Sequence, residues 1–174
     1  MLEARARSRH PGELEAAFTD AIAQLVSGVC VVTARGRGGE PCGLLATSIC
    51  SYSVDPPAVL VCVGRRGRAC TAIVAARAFG VHLLRAGGEE IARTFAMPGA
   101  DRFGAVDWEW DAEVPALASE LVVAYLRCVR VAVKHHGDHA IAIGEVERVE
   151  TAPSDPLVYL RRRMDWRVQS AAAP

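Results

Sequence analysis

Residues 43–73 read GLLATSICSYSVDPPAVLVCVGRRGRACTAI, and the order of chemistry along them decides the fold. Residues 44–50 make a short strand of apolar and small side chains. Ser51, Tyr52 and Ser53 then carry hydroxyls into the Asp55, Pro56, Pro57 corner, where proline's fixed φ and missing N–H must end the strand. Residues 58–63, AVLVCV, run apolar without alternation, as a strand covered on both faces does. Gly64, Arg65, Arg66, Gly67 and Arg68 lead into a helix expected over residues 69–76. Free backbone N–H groups at a helix start, beside three guanidinium groups and flexible glycines, suit an anionic phosphate group. At this level a solvated turn explains the arginines equally well.

The same run resembles the flavin reductase-like family of short flavin-dependent reductases. There a hydroxyl-bearing strand, an S-x-D-P-P corner and a phosphate-binding turn shape the flavin site. Residues 18–33, FTDAIAQLVSGVCVVT, resemble the family's opening helix leading into its first strand. Residues 79–84, FGVHLL, stand where the family has an F-x-V-N-x-L strand. Asp101, Arg102 and Phe103 match a further signature, Gly137, Asp138 and His139 another, and residues 156–159, PLVY, the closing one. The likeness covers residues 14–166, and its weight lies in the order and spacing of motifs that are each weak alone. It implies a mainly β fold with flanking helices: a six-stranded antiparallel Greek-key split β-barrel of the FMN-binding type. It also implies an NAD(P)H-dependent flavin reductase that supplies reduced flavin to a partner monooxygenase. FMN or FAD would be the cofactor, NADH or NADPH the reductant, a homodimer the assembly, and diffusible reduced flavin the link to the oxygenase.

The 174 residues suffice for one domain with a real core and are too few for two. That domain is expected over residues 13–166, with an arginine-rich mobile arm over residues 1–12 and a disordered tail over residues 167–174. Twenty basic and twenty acidic residues cancel, which argues against duplex nucleic acid or an anionic membrane as partner. No apolar run reaches the roughly 18 residues of a spanning helix, and the first residues lack a signal peptide's apolar stretch, so a cytoplasmic location is expected. The six cysteines form no C-x-x-C pair and no zinc spacing with histidine, so no metal is expected. Most read as small buried filler in a reducing compartment; Cys50 and Cys70 stand apart because they fall in the decisive stretch.

Leu14, Phe18, Ile22 and Leu25 recur at helical spacing, an apolar stripe expected to pack on the sheet. The glycine-rich turn over residues 35–40 is followed by a strand, not the helix a dinucleotide fingerprint needs, and reads as a hairpin. Trp108, Trp110, Pro115 and Leu117 belong to a loop-rich insertion of the kind that shapes access to a site. Residues 121–134 and 139–150 form the longest hairpin, and apolar residues on both faces of its first strand favour a second subunit against it.

What the resemblance implies for single residues follows. His139 would lie beside flavin and nicotinamide, and guide the nicotinamide amide. Thr47, Ser48 and the backbone of Ile49 and Cys50 would line the isoalloxazine or ribityl chain. Arg65 and Arg68, with amides near Gly67, Ala69 and Cys70, would hold phosphate; Ser53, Val63 and Gly64 complete that stretch. Arg102 and Phe103 would touch phosphate or ring, or simply anchor a loop. Arg161 would touch the dinucleotide. His82 stands at the family's usual Asn and is either near the flavin wall or a satisfied core histidine. Departures matter too: Leu45, Thr47, Gly67, Ala69 and His82 replace residues the family commonly uses. Each lost neutral hydrogen bond weakens binding by about 0.5–1.5 kcal/mol. That keeps open a protein repurposed for a non-redox biosynthetic step, a cyclisation or isomerisation, and a plain flavin-binding module.

Overall fold

The computed structural model describes residues 11–169. Helix α1 (Pro11–Ile22) precedes β1 (Ser27–Gly28), β2 (Cys30–Arg35), β3 (Pro41–Ala46), β4 (Ile49–Val54) and β5 (Pro57–Gly64). Then come α2 (Arg68–Ala75), β6 (Ala78–Leu84), α3 (Glu89–Ala96), β7 (Trp108–Asp111) and β8 (Val114–Leu117). The chain continues through β9 (Val122–His136), β10 (His139–Thr151), β11 (Val158–Leu160) and β12 (Arg163–Trp166). Of the expected arm and tail, residues 1–10 and 170–174 lie outside the described residues.

Residues 44–50, expected as one strand, are parts of two. β3 pairs antiparallel with β2, whereas β4 pairs antiparallel with β5. In the seven-stranded sheet, ordered β3-β2-β6-β9-β10-β5-β4, those are the two opposite edges, yet only Thr47 and Ser48 separate them. The three Cα-to-Cα steps from Ala46 to Ile49 reach only about 10 Å, so the sheet has to curl until its edges approach. The Cys62 N–H donates to Ser48 O at 2.9 Å and ties the corner to β5. One straight strand cannot serve both partners, and hydroxyl residues suit the bend because they satisfy nearby backbone groups. The sheet has seven strands where the resemblance implied six, because β4 runs along β5 as a full edge strand.

Alternation along β2 divides the interior. Val32 and Ala34 face one apolar cluster with Val61, Val63, Phe79, Val81 and Cys128, and α2 closes it through Cys70, Ala72 and Ile73. Val29 and Val31 face a second, with Leu84, Leu117, Val122 and Leu157, against Ala92 and Phe95 of α3. The long hairpin is as the sequence predicts, β9 and β10 in register from His136 opposite His139. The loop-rich insertion is ordered as the β7–β8 hairpin, because all four residues of β8 bury their side chains.

α1 is the main correction. Its stripe does not pack on the sheet: Leu14, Phe18, Ile22 and Leu25 are between 50% and 62% exposed. Its far end is fastened by polar contacts instead. The Arg161 N–H donates to Ala23 O at 2.7 Å, Arg161 Nε to Gln24 Oε1 at 2.9 Å, and Arg162 Nη2 meets Asp20 Oδ1 at 2.7 Å.

Candidate functional site

The corner between β3 and β4 opens into a cleft of about 550 Å³. Thr47, Ser48, Ile49 and Cys50 form one wall, Leu60 and Cys62 of β5 the floor, and Tyr159 with Phe18 and Ile22 of α1 the other side. Leu60 sits opposite Cys50 in the register, and the two-residue period puts Cys62 on the same face, so strand geometry alone aims both cysteines into the cleft. The lining is mostly apolar with hydroxyls at one margin, which suits a flat ring system edged by hydrogen-bonding atoms.

At the other end of β5, the register pairs Gly64 with His139. His139 Nδ1 lies 2.8 Å from Asp138 Oδ1, which assigns the Nδ1 proton to that bond and leaves Nε2 to face Gly64. A Cβ at Gly64 would lie 3.9 Å from Nε2. The same bond holds the exposed Asp138 carboxyl below the usual carboxylate range. Arg65 is fixed by its N–H on Asp138 O at 2.8 Å and by Nη1 on Gly137 O at 3.2 Å. Cys70 lies close enough to feel Arg65, although burial dominates and raises its thiol pKa. The turn and the histidine therefore form one cluster at the mouth of the β5–β10 pair.

Gly67 has φ 107° and ψ 162°, a region open essentially to glycine alone, and it supplies no side-chain cap to α2. The first amides of α2 are thus left for a ligand or water. Arg68 and Ala69 turn toward a second cleft of about 440 Å³, bounded by Cys42, Gly43, Arg102 and Phe103. Arg102 donates from Nη1 to Gly43 O at 2.6 Å and from Nη2 to Met97 O at 3.0 Å. Phe103 stands edge-on to Phe95, with ring centres 5.5 Å apart, and edge-on to Trp108 at 5.3 Å.

The expected residues therefore fall into three groups: Thr47, Ser48, Ile49 and Cys50; Gly64, Arg65, Gly67, Cys70 and His139; Arg68, Ala69, Arg102 and Phe103. Four stand apart. Val63 is buried in the core, Ser53 pairs with Ala58 toward the far end of the β4–β5 hairpin, and Arg161 is engaged with α1. His82 is fully buried between β2 and β8: Nδ1 is 3.1 Å from Val31 O, the Leu117 N–H donates to Nε2 at 3.1 Å, and the ring stacks on Tyr125 with centres 4.8 Å apart. Burial pushes its pKa down to about 4. Sequence reasoning missed the α1 side of the first cleft, Phe18 and Ile22, and also Tyr159 and Cys62. An apolar stripe looks the same whether a core or a cleft receives it, whereas the two-residue period would have found Cys62.

Among the described residues no helix is long and apolar enough to cross a membrane, and no group of three or more His, Cys, Asp or Glu is placed to hold a metal ion.

Fold and clefts define a class of small β proteins that hold a ligand where a curled antiparallel sheet meets a helix start. The sequence model of the flavin reductase like domain matches residues 22–166, and the chain belongs to that family. A flavin reductase (NADH) of Kitasatospora aureofaciens is 40% identical over 149 residues, 83% of this chain and 78% of that protein. The reductase component of a 4-nitrophenol 4-monooxygenase/4-nitrocatechol 2-monooxygenase from Rhodococcus opacus is 36% identical over 149 residues, 86% of this chain and 79% of the other. Among solved structures, the NADH:FAD oxidoreductase SgcE6 of Streptomyces globisporus C-1027, in complex with NAD and FAD fragments, superposes with a TM-score of 0.84. Its identity is 32%, over 97% of this chain and 100% of that one.

Proposed function

We propose that this chain is an NAD(P)H-dependent flavin reductase that supplies reduced flavin to a partner monooxygenase. When bound, a flavin supplies the electron chemistry by accepting reducing equivalents from a nicotinamide. The donor set fits such a group: an apolar ring-sized cleft with hydroxyls at its margin, and a glycine–arginine turn with uncapped helix amides. Thr47, Ser48 and the backbone of Ile49 and Cys50 would hold the ring and its side arm. Arg65 and the amides after Gly67 would neutralise phosphate. His139, oriented by Asp138, would donate or accept one hydrogen bond to the reductant and fix its approach. No side-chain acid–base relay is needed, because positioning is the protein's share of the work. The single observation that carries the reading is the pairing of His139 with Gly64, which sets an oriented imidazole against the phosphate-type turn.

Finer parts of the reading follow from the same features. The curled sheet is a split barrel, supported by its two edges being joined through Thr47 and Ser48. Residues 13–166 act as one unit. Two copies associate through the α1 stripe, because Leu14, Phe18 and Ile22 on the helix, with Leu25 just past its end, are left open in the single chain.

Anaerobic mixing of the purified chain with FAD or FMN and with NADH or NADPH tests the activity, followed by loss of nicotinamide absorbance. Turnover well above the uncatalysed rate is expected with at least one pair. No enhancement with any pair would remove the proposal.

A further inference from the structure

The first cleft contains two thiols that positioning a flavin does not use. β4 and β5 pair with Cys50 opposite Leu60 and Ile49 opposite Val61, and the Cys62 N–H donates to Ser48 O at 2.9 Å. Cys62 therefore falls opposite Ser48, diagonal to Cys50 on the same face, and both cysteines line the cleft. Diagonal neighbours across an antiparallel pair stand about 7 Å apart and a disulfide needs its Cβ atoms near 4 Å, so bridging the two asks for a shift of roughly 3 Å. β4 can give it. It is an edge strand of the seven-stranded sheet, and a bulge between Ser51 and Ser53, just past Cys50, loosens its ladder.

The other cysteines lack that setting. Burial raises the thiol pKa of Cys30 and Cys128 to about 12 and keeps both protonated. Cys70 is buried too, and Cys42 lines the other cleft, where burial and then Glu40 raise its thiol pKa. Cys50 is exposed, so a solute reaches it, and Cys62 stands half-buried beside it. Burial raises the Cys62 thiol pKa and the Cys50 charge raises it further, which puts the two sulfurs within each other's field. Cys50 is thus the thiol that meets an oxidant, and Cys62 the one placed to resolve the product.

We propose that Cys50 and Cys62 are a peroxide-sensitive dithiol whose disulfide closes the first cleft to flavin. The oxidant is hydrogen peroxide, formed when dioxygen takes two electrons and two protons from free reduced flavin. The Cys50 thiolate attacks one peroxide oxygen, the O–O bond breaks, and hydroxide leaves behind a sulfenic acid. The Cys62 thiolate then attacks the Cys50 sulfur; the S–S bond forms, the S–O bond breaks, and a second hydroxide leaves. The two thiol protons turn both hydroxides into water, so one dithiol loses two electrons and one peroxide gains them. The bridge runs from the wall to the floor, across the place the ring would take. A reductase whose reduced flavin goes unused would shut its own cleft. The source of peroxide and the identity of the excluded ligand rest on the flavin reductase reading; the thiol pair does not.

The test treats the flavin-free full chain with stoichiometric hydrogen peroxide and reads the thiols by mass spectrometry. Trypsin with a protease that cuts before aspartate separates residues 38–54, holding Cys42 and Cys50, from residues 55–65, holding Cys62. Without reductant the two peptides are expected as one species, with fragmentation placing the bond on Cys50, and dithiothreitol splits it. Flavin affinity, read by fluorescence quenching, falls at least about tenfold on oxidation, and by less than about twofold when Cys62→Ala is treated in the same way. Saturating FMN or FAD added before the peroxide slows formation of the link. Both thiols left reduced, or Cys50 carried to sulfinic acid with no link to Cys62, overturns the inference while the reductase reading stands. A link that forms as fast with flavin as without it, or that leaves affinity unchanged, overturns it as well. If the reduced chain binds neither flavin, the reductase reading falls and the closure of the cleft falls with it.

Discussion

Two histidines stand in opposite surroundings. His82 lies in the dry interior, where each ring nitrogen has one backbone partner and a tyrosine covers the ring. His139 lies on the rim, where one nitrogen is used by a carboxylate and the other faces a glycine across an open turn. A histidine whose nitrogens are both spoken for by main chain builds the fold. One with a nitrogen left over is available to a ligand. The contrast extends outward: Thr33 in the interior donates to Pro115 O at 2.6 Å, while rim backbone at Gly67, Arg161 and Arg162 is held at positive φ.

The interior half of the comparison carries the largest expected effect. His82→Ala strands the Val31 carbonyl and the Leu117 N–H and leaves a cavity against Tyr125, so unfolding free energy should drop by about 3–5 kcal/mol. Denaturant unfolding monitored by tryptophan fluorescence measures it. A loss under about 1 kcal/mol would mean that the two bonds are not what holds this region.

Acid should find the same residue. In the folded chain His82 has a pKa near 4, below its ordinary value of 6.5, so the unfolded state takes up a proton first as pH falls. Stability from this group is complete above pH 6.5 and is lost as pH falls from there through 4, by about 3 kcal/mol in all. Carboxylates contribute over part of the same range, so the quantity to measure is the difference between wild type and His82→Gln. Parallel stability curves for the two proteins would deny His82 its neutral, partnered state.

The rim half predicts a different signature. His139→Ala should slow nicotinamide oxidation by about 10- to 100-fold, the cost of losing an oriented hydrogen bond to the reductant, and leave stability within about 0.5 kcal/mol. Unchanged turnover would remove His139 from the site and leave the family untouched.

How far the sequence reaches follows the same line. The long β9–β10 hairpin, the helix after the arginine turn and the apolar β5 were legible, because each depends on local periodicity and on glycine and proline chemistry. The break at Thr47 and Ser48 was not. Residues 44–50 look uniform until one knows that β3 and β4 have different partners, and pairing is a non-local property. His82 shows the limit at single-residue scale: its strand was placed correctly, but which face of β6 it occupies depends on β8, a segment read as loop. For α1 the stripe was visible and its receiver was not. The arginines of the turn were open between a solvated and a ligand-facing reading, and it was the His139–Gly64 register that brought them beside a histidine.

The smallest effect expected is the one that asks why the rim tolerates strain. Arg161 and Arg162 form the two-residue link between β11 and β12, with φ of 53° and 61°, a conformation that hairpins normally give to asparagine and glycine. The two side chains reach back to Asp20 of α1 and to Gln24 just past its end, so the turn trades backbone comfort for a hold on the helix that walls the first cleft. Putting asparagine and glycine in place of the two arginines relieves the strain and removes two exposed contacts worth little each. The double variant Arg161→Asn, Arg162→Gly should therefore be as stable as wild type or more so, by up to about 1 kcal/mol. Its flavin KM should rise nonetheless, because Phe18 and Ile22 are no longer held across the cleft from Thr47 and Cys50. A variant that gains stability and keeps its KM would show that α1 is no part of the cleft, and the rim would then reduce to His139 and the arginine turn.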